Sequence, residues 1–329
     1  MRNQYIVSAY ATSPSFYQWD PVAEAAYFER LAACPQIVGV EHPFLPHSDK
    51  YPLDWLLENI PNHWELVITL LPPFMQLSKS NPDVGLASLN ESSRLLAISM
   101  IKELNQYVGQ LNAAFKRKVV KAINFHSSPK NEKGHIRGDQ HQLKKSLTEI
   151  ISMDWFGVAL NLEHCDAYSE ASPETSDKGF LALKHEIEVI QEVGNFGIVL
   201  NWGRSAIELR STKGPIHHIK AVAEAKLLKG FFFSGCTENA SSPYGAWKDT
   251  HIPPQNFMDG QYLQNDSLLG APEIREVLKL LNEHEVFLGV KILDPHPKRD
   301  LDRLAGLNLE TIAAIRRVYT CTGVCNGQK

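Results

Sequence analysis

Nowhere in this chain do about 18 apolar residues follow one another, so no segment reads as a membrane-spanning helix and no membrane partner is expected. Cysteine is scarce. The five (Cys34, Cys165, Cys236, Cys321 and Cys325) are odd in number and scattered, which excludes a disulfide scaffold and suits reduced thiols. No Lys/Arg run stands out, and 33 Lys+Arg against 37 Asp+Glu leave a net charge of −4. That balance gives no electrostatic footprint for nucleic acid. The opening MRNQYIVSAYATSP has no long apolar stretch before its polar residues, so no signal peptide and a cytoplasmic location are expected. Neither G-x-G-x-x-G nor G-x-x-x-x-G-K-[ST] occurs, which argues against a nucleotide-binding, doubly wound sheet. What is present is ordinary for a globular chain: 329 residues, 43% hydrophobic and 21% charged.

Short apolar runs alternate with helix-sized segments. The runs are Tyr5–Ala9, Ile37–Val40, Leu66–Leu71, Val119–Phe125, Val158–Leu162, Gly197–Leu200, Gly230–Phe233 and Val286–Ile292. They are rich in Val, Ile, Leu and Phe, as strands covered on both faces should be. Helical patterns follow Asp20-Pro21 and cover Glu91–Phe115, Gln140–Ile151, Lys178–Val193, Pro215–Leu228, Pro272–Glu283 and Leu309–Tyr319. Eight strand–helix units predict a closed (β/α)₈ TIM barrel, a single α/β domain over 1–329. The stretch from Ser234 to Leu269 lacks periodicity and is rich in Pro, Gly, Asn and aromatics. A loop that long is usually functional, and in a barrel it would cap the C-terminal mouth.

Period-two alternation places particular side chains inside such a barrel. Asn124 and His126 share a face of the fourth strand, and Asn161 and Glu163 share one of the fifth. Asn201, then Ser234 and Cys236, then Lys291 come from the next three. Polar side chains fill a core poorly, because each buried polar group needs a partner, so this layer reads as a ligand site. Glu163, ending a strand in NLEHCD, needs a cation, a metal or a raised pKa, and Lys291 is the natural cation in reach. Glu41 and His42 in GVEHP end the second strand, one of them facing inward. Asp249 and His251 in WKDTHIPP sit two apart in the long loop, able to face one ligand. Cys236 reads as a buried inert thiol, and His217-His218 lie on a helix pattern and read as solvated.

Together these strand ends resemble the xylose isomerase-like TIM barrels, the superfamily of sugar-phosphate isomerases and epimerases that includes endonuclease IV. INFHSSP is similar to that superfamily's fourth-strand segment ending in a metal-binding His, here His126. NLEH is similar to the fifth-strand end whose Glu, here Glu163, binds metal, and WKDTHIPP to a D-x-H pair, here Asp249 and His251. The resemblance therefore implies a divalent metal, with His126, Glu163, Asp249 and His251 as its candidate ligands. The departures are Asn201-Trp202-Gly203-Arg204 where D-x-x-H is expected, Cys236 or Ser234 for a His, and Lys291 for a Glu. With that acidic charge gone, Lys291 and Arg204 could place fixed positive charge where a metal would sit.

The expected function is a carbohydrate enzyme, an isomerase, epimerase or lyase acting on a sugar or sugar acid. Glu163 would be the base that abstracts a proton α to a carbonyl, Lys291 would stabilise the enediolate, and His126 would relay protons. Glu41, His42, Asn124, Asn161, Asn201, Arg204, Asp249 and His251 would bind substrate. The alternatives are a non-catalytic sugar-binding or regulatory relative and, further off, a metal-dependent nuclease.

Overall fold

The computed structural model describes residues 4–172 and 176–321. The apolar runs form eight parallel strands: β1 (Tyr5–Val7), β2 (Ile37–Pro43), β3 (Glu65–Thr69), β4 (Val120–Phe125), β5 (Ala159–Glu163), β6 (Phe196–Asn201), β7 (Leu228–Phe233) and β8 (Phe287–Val290). Each pairs with its sequence neighbour, and β1 pairs with β8 to close the barrel. The helices around it are α1 (Pro21–Ala32), α2 (Leu53–Asn59), α3 (Leu71–Leu77), α4 (Glu91–Ala114), α5 (Gln140–Ile151), α6 (Leu183–Val193), α7 (Trp202–Leu209), α8 (Gly214–Glu224), α9 (Ala271–Leu281) and α10 (Leu301–Cys321). The expected (β/α)₈ barrel is therefore present. Among the described residues no helix is long and apolar enough to cross a membrane.

Local chemistry explains the boundaries. The Asp20 side chain accepts from the backbone N–H groups of Val22 and Ala23 at 3.1 and 3.0 Å, and Pro21 supplies a preset φ at the first helical position. Asn90, Asp139 and Asn201 cap α4, α5 and α7 in the same manner. Differences from the sequence reading have local causes too. Leu70 adopts a helical backbone and two prolines open α3, so the third strand stops at Thr69 instead of Leu71. Lys178 precedes α6 by five residues and lies in a loop, and α10 starts eight residues early, behind Asp300, whose side chain accepts from Arg303 N–H at 3.0 Å.

Two apolar compartments line the two faces of the barrel wall, with a small third cluster of Leu71, Cys165 and Phe180. The larger lies between strands and helices and holds outward residues such as Val40, Phe125 and Phe233. The smaller, Ile6, Val67 and Ala122, fills the lower barrel. Higher up, glycine makes room for aromatic rings. A β-carbon on Gly289 would lie 2.3 Å from the Phe232 ring, and one on Gly230 would meet Phe287 at the same distance. Phe232 thus packs over the β8 backbone and closes the floor beneath the polar layer.

Candidate active site

Above that floor the inward positions turn polar, and their charges meet at Glu163. Its Oε1 accepts from Arg204 Nη1 at 2.6 Å and from Lys291 Nζ at 3.2 Å. Its Oε2 accepts from His126 Nε2 at 3.0 Å. Lys291 Nζ also reaches Glu41 Oε1 at 3.1 Å, and the Ser8 hydroxyl donates to the other Glu41 oxygen. Arg204 sits in the first turn of α7, where the Asn201 cap turns the chain so that its guanidinium enters the mouth. From there Nε donates to Asp249 Oδ2 at 3.1 Å, and Lys178 Nζ approaches the same oxygen at 3.1 Å. Lys178 lies 3.5 Å from Asp177, which accepts from exposed Lys248 at 3.0 Å. The result is one chain of alternating charge running from Glu41 at the barrel axis to Lys248 at the surface.

Burial sets the protonation states. Desolvation raises the Glu163 carboxyl, but Arg204, Lys291 and His126 outweigh it and hold the group well below the usual carboxylate range. Asp249 is held down in the same way by Arg204 and Lys178. Glu41 goes up, because burial and the nearby Glu163 charge exceed the help from Lys291. Desolvation would neutralise Lys291, yet Glu163 and Glu41 keep it charged. Burial lowers His126 and takes His251 down to about 3, so both rings are neutral near pH 7. Glu163 is accordingly a fixed anion and a poor proton acceptor. Glu41, by contrast, is the carboxyl of this layer whose protonated form burial favours.

Among the described residues, several buried polar atoms here find no protein partner: Asn124 Nδ2, His126 Nδ1, Asn161 Oδ1, Asn201 Nδ2 and Arg204 Nη2. Buried polar groups are ordinarily satisfied, so a cluster of exceptions is a recognition signal. His251 adds strain: its backbone is left-handed (φ 53°), which costs a β-carbon-bearing residue about 1–3 kcal/mol. Its Nδ1 lies 2.8 Å from Ser234 Oγ and 3.2 Å from Asp249 Oδ1. Beside Lys178 a cavity of about 260 Å³ opens, lined by Phe74, Ser128, Lys130, Arg137, Asp177 and Phe180 among others.

Of the residues read from the sequence, the structure brings together Glu41, Asn124, His126, Asn161, Glu163, Asn201, Arg204, Asp249, His251 and Lys291. His42 is a correction: it points outward, with Nε2 3.0 Å from the Tyr107 hydroxyl of α4, and burial takes it down to about 4. Glu41 is the inward member of that pair. Cys236 is the buried thiol it was read to be, raised by burial to about 12, but it packs in the apolar compartment instead of facing into the barrel, because alternation stops where β7 ends at Phe233. His218 is buried rather than solvated, whereas His217 is exposed. Lys178, Asp177, Ser8 and Tyr10 were not singled out. Ser8, two residues after inward-facing Ile6 in the first apolar run, had a positional cue, as did Tyr10 just beyond that run, whose ring lies 5.8 Å from Lys291 Nζ.

The donor set does not fit the divalent metal that the sequence resemblance implies. The β6 position holds an amide and the β8 position an ammonium. Glu163 already accepts from two cations and an imidazole, so a metal ion there would face Arg204 and Lys291 at contact distance.

Fold and site together define the class: a closed (β/α)₈ barrel whose mouth carries protein cations. The family model for a domain of unknown function, DUF4862, matches residues 6–305, and the chain belongs to that family. It is 31% identical to the "Uncharacterized protein STM3670" of Salmonella typhimurium, over 91% of this chain and 92% of that one. Among solved structures it is similar to an L-ribulose 3-epimerase (TM-score 0.61, 12% identity, 100% of both chains) and to a D-tagatose 3-epimerase-like protein (TM-score 0.60, 15% identity, 95% of this chain and 98% of that one). At such identities the likeness is one of fold.

Proposed function

We propose that this barrel is a carbohydrate enzyme of the isomerase, epimerase or lyase kind, acting on a sugar or sugar acid in the cytoplasm, with Lys291 and Arg204 in place of a metal. The observation that carries the reading is the group of unpartnered buried atoms around Glu163, namely Asn124 Nδ2, His126 Nδ1, Asn201 Nδ2 and Arg204 Nη2. Donors and an acceptor in such density suit a polyhydroxylated ligand. Epimerases among the structural neighbours supply the chemical class by analogy.

In this reading Glu41 takes the proton α to the substrate carbonyl. The C–H electron pair becomes the C=C bond of an enediolate, whose oxygen is stabilised by the Lys291 ammonium and the free Arg204 N–H. Glu163 orients both cations, and His126 Nδ1 accepts from a substrate hydroxyl. Returning the proton to the other face or the neighbouring carbon completes the reaction. The ligand approaches through the cavity beside Lys178, and the Asp249 segment must shift to admit it, because Glu41, Glu163, Arg204 and Lys291 are fully covered.

That same closure favours a second reading, a sugar-binding or regulatory protein without turnover. Both are tested by screening sugars and sugar acids for a thermal shift, then incubating each hit with enzyme in D₂O and following the α-proton by NMR. Exchange that disappears in Glu41→Gln supports the enzyme. Binding with no exchange supports the second reading, and exchange undiminished in Glu41→Gln removes Glu41 from the chemistry.

A further inference from the structure

Behind the strand ends that carry His126 and Glu163 lies a second buried cluster that the proposed mechanism leaves unused. His164 follows β5, Glu186 belongs to α6, Glu208 to α7 and His218 to α8. His164 Nε2 lies 2.8 Å from Glu208 Oε2, and His218 Nε2 lies 3.7 Å from Glu208 Oε1. One ligand atom from each of these three residues falls within 4.8 Å of the others. The remaining atoms are held from behind. His164 Nδ1 donates to Glu186 Oε2 at 2.7 Å, His218 Nδ1 lies 3.0 Å from Ser205 Oγ, and Ala167 N–H donates to Glu208 Oε2 at 3.0 Å.

A metal-bound imidazole characteristically offers one nitrogen to the ion and gives the other to a carboxylate or hydroxyl that fixes its tautomer. Both histidines have that arrangement.

We propose that His164 Nε2, His218 Nε2 and the Glu208 carboxylate bind one divalent cation of the zinc type. Two imidazoles and a carboxylate suit zinc, whereas calcium and magnesium prefer all-oxygen sites. Water takes the remaining position on the side where the Glu208 side chain, 14% exposed, meets solvent. Glu208 stands one turn beyond Arg204 on α7, and Ser127, next to His126, donates to Glu186. The ion would therefore anchor the backs of the mouth residues and take no part in the proton transfer.

The whole chain, stripped with EDTA and dialysed, is titrated with Zn²⁺ against a chromophoric chelator, and separately with Co²⁺ while the visible spectrum is recorded. The expectation is about one ion per chain, tetrahedral Co²⁺ bands, and a raised melting temperature. His218→Leu should weaken binding at least a hundredfold, and Glu163→Gln in the mouth should leave affinity and spectrum unchanged. Should His218→Leu fail to fold, Ser205→Ala removes only the group behind His218 and should weaken binding about tenfold or more. A folded wild-type chain that takes up no ion overturns the proposal. So does binding unaffected by His218→Leu and Ser205→Ala, or binding lost in Glu163→Gln.

Discussion

Lys291→Met is the most direct probe of the barrel axis, because methionine keeps the stem and removes only the ammonium. That ammonium lies 3.1 Å from Glu41 and 3.2 Å from Glu163, and all three side chains are fully buried. Removing one partner of a buried pair leaves uncompensated charge in a medium that solvates it poorly, which costs about 3–5 kcal/mol. Glu163 keeps Arg204 and His126, so most of the loss should fall on Glu41, whose remaining partner is the Ser8 hydroxyl. The double variant Lys291→Met/Glu41→Gln removes the stranded charge and should recover more than half of the deficit. An exposed pair supplies the control. Lys213 and Glu276 lie 2.6 Å apart with side chains 60% and 41% exposed, so Lys213→Met should cost less than about 1 kcal/mol despite the shorter distance. Urea unfolding followed by the fluorescence of the six tryptophans measures all three. If Lys291→Met lies within about 1 kcal/mol of wild type, or if the double variant is no better than the single, the ammonium does not neutralise the buried carboxylates and the account of the mouth is wrong.

Other expectations are briefer. His42 and His251 are buried and neutral, with pKa values lowered to about 4 and about 3. The unfolded chain takes up those protons below about pH 6.5 and the folded chain does not, so stability should fall from there to about pH 4, by roughly 1 kcal/mol per pH unit for each ring. Urea midpoints constant from pH 7 to 4.5 would contradict this. Gly289→Ala puts a β-carbon 2.3 Å from the Phe232 ring and should lower stability by about 1–3 kcal/mol, read as an earlier urea midpoint; an unchanged midpoint would mean the ring has room to move. At physiological salt the chain should give no tight complex with duplex or abasic DNA in a mobility-shift assay, given its net charge of −4. A nanomolar complex would revive the nuclease alternative.

The fold was legible because strands buried on both faces must be written as apolar runs, and eight of them separated by helical patterns leave little besides a closed barrel. The site was legible only as far as the strands extend. Period two correctly put Asn124, Asn161, Glu163 and Lys291 on the inner faces, but failed at Cys236, beyond the last ladder residue of β7. At His42 it left the choice with Glu41 open until the register was known. Arg204 is one turn into a helix hidden in the sequence, since its cap, Asn201, is also the last residue of a strand. Lys178 looked like a helix start, and nothing local reports that it reaches a loop residue 71 positions later. The roles of the two inward glutamates are likewise a tertiary matter. Glu163 reads from the sequence as a base, while its contacts with Arg204, Lys291 and His126, which hold its carboxyl low, come from residues far apart in the chain.

Those contacts also argue against a purely structural origin for the layer. Buried ion pairs are weak stabilisers, and well-packed apolar residues of similar volume often serve as well or better. A barrel of this kind could close its top with Leu and Phe, as it closes its floor with Phe232 over Gly289. Instead Glu41, Lys291, Glu163, Arg204, Asp249, Lys178, Asp177 and Lys248 follow one another with alternating sign. The outer links are the weakest held: Lys178 stands 3.5 Å from Asp177 at the rim of the cavity, and the Lys248 side chain is 57% exposed. On the proposed reading, an anionic or hydroxyl-rich ligand entering there would compete first for Lys178, loosening Asp249 and so freeing the Arg204 Nε–H while Glu163 still holds the same guanidinium. The charge needed for catalysis would then already be in position at the axis, and only the outermost link would have to open.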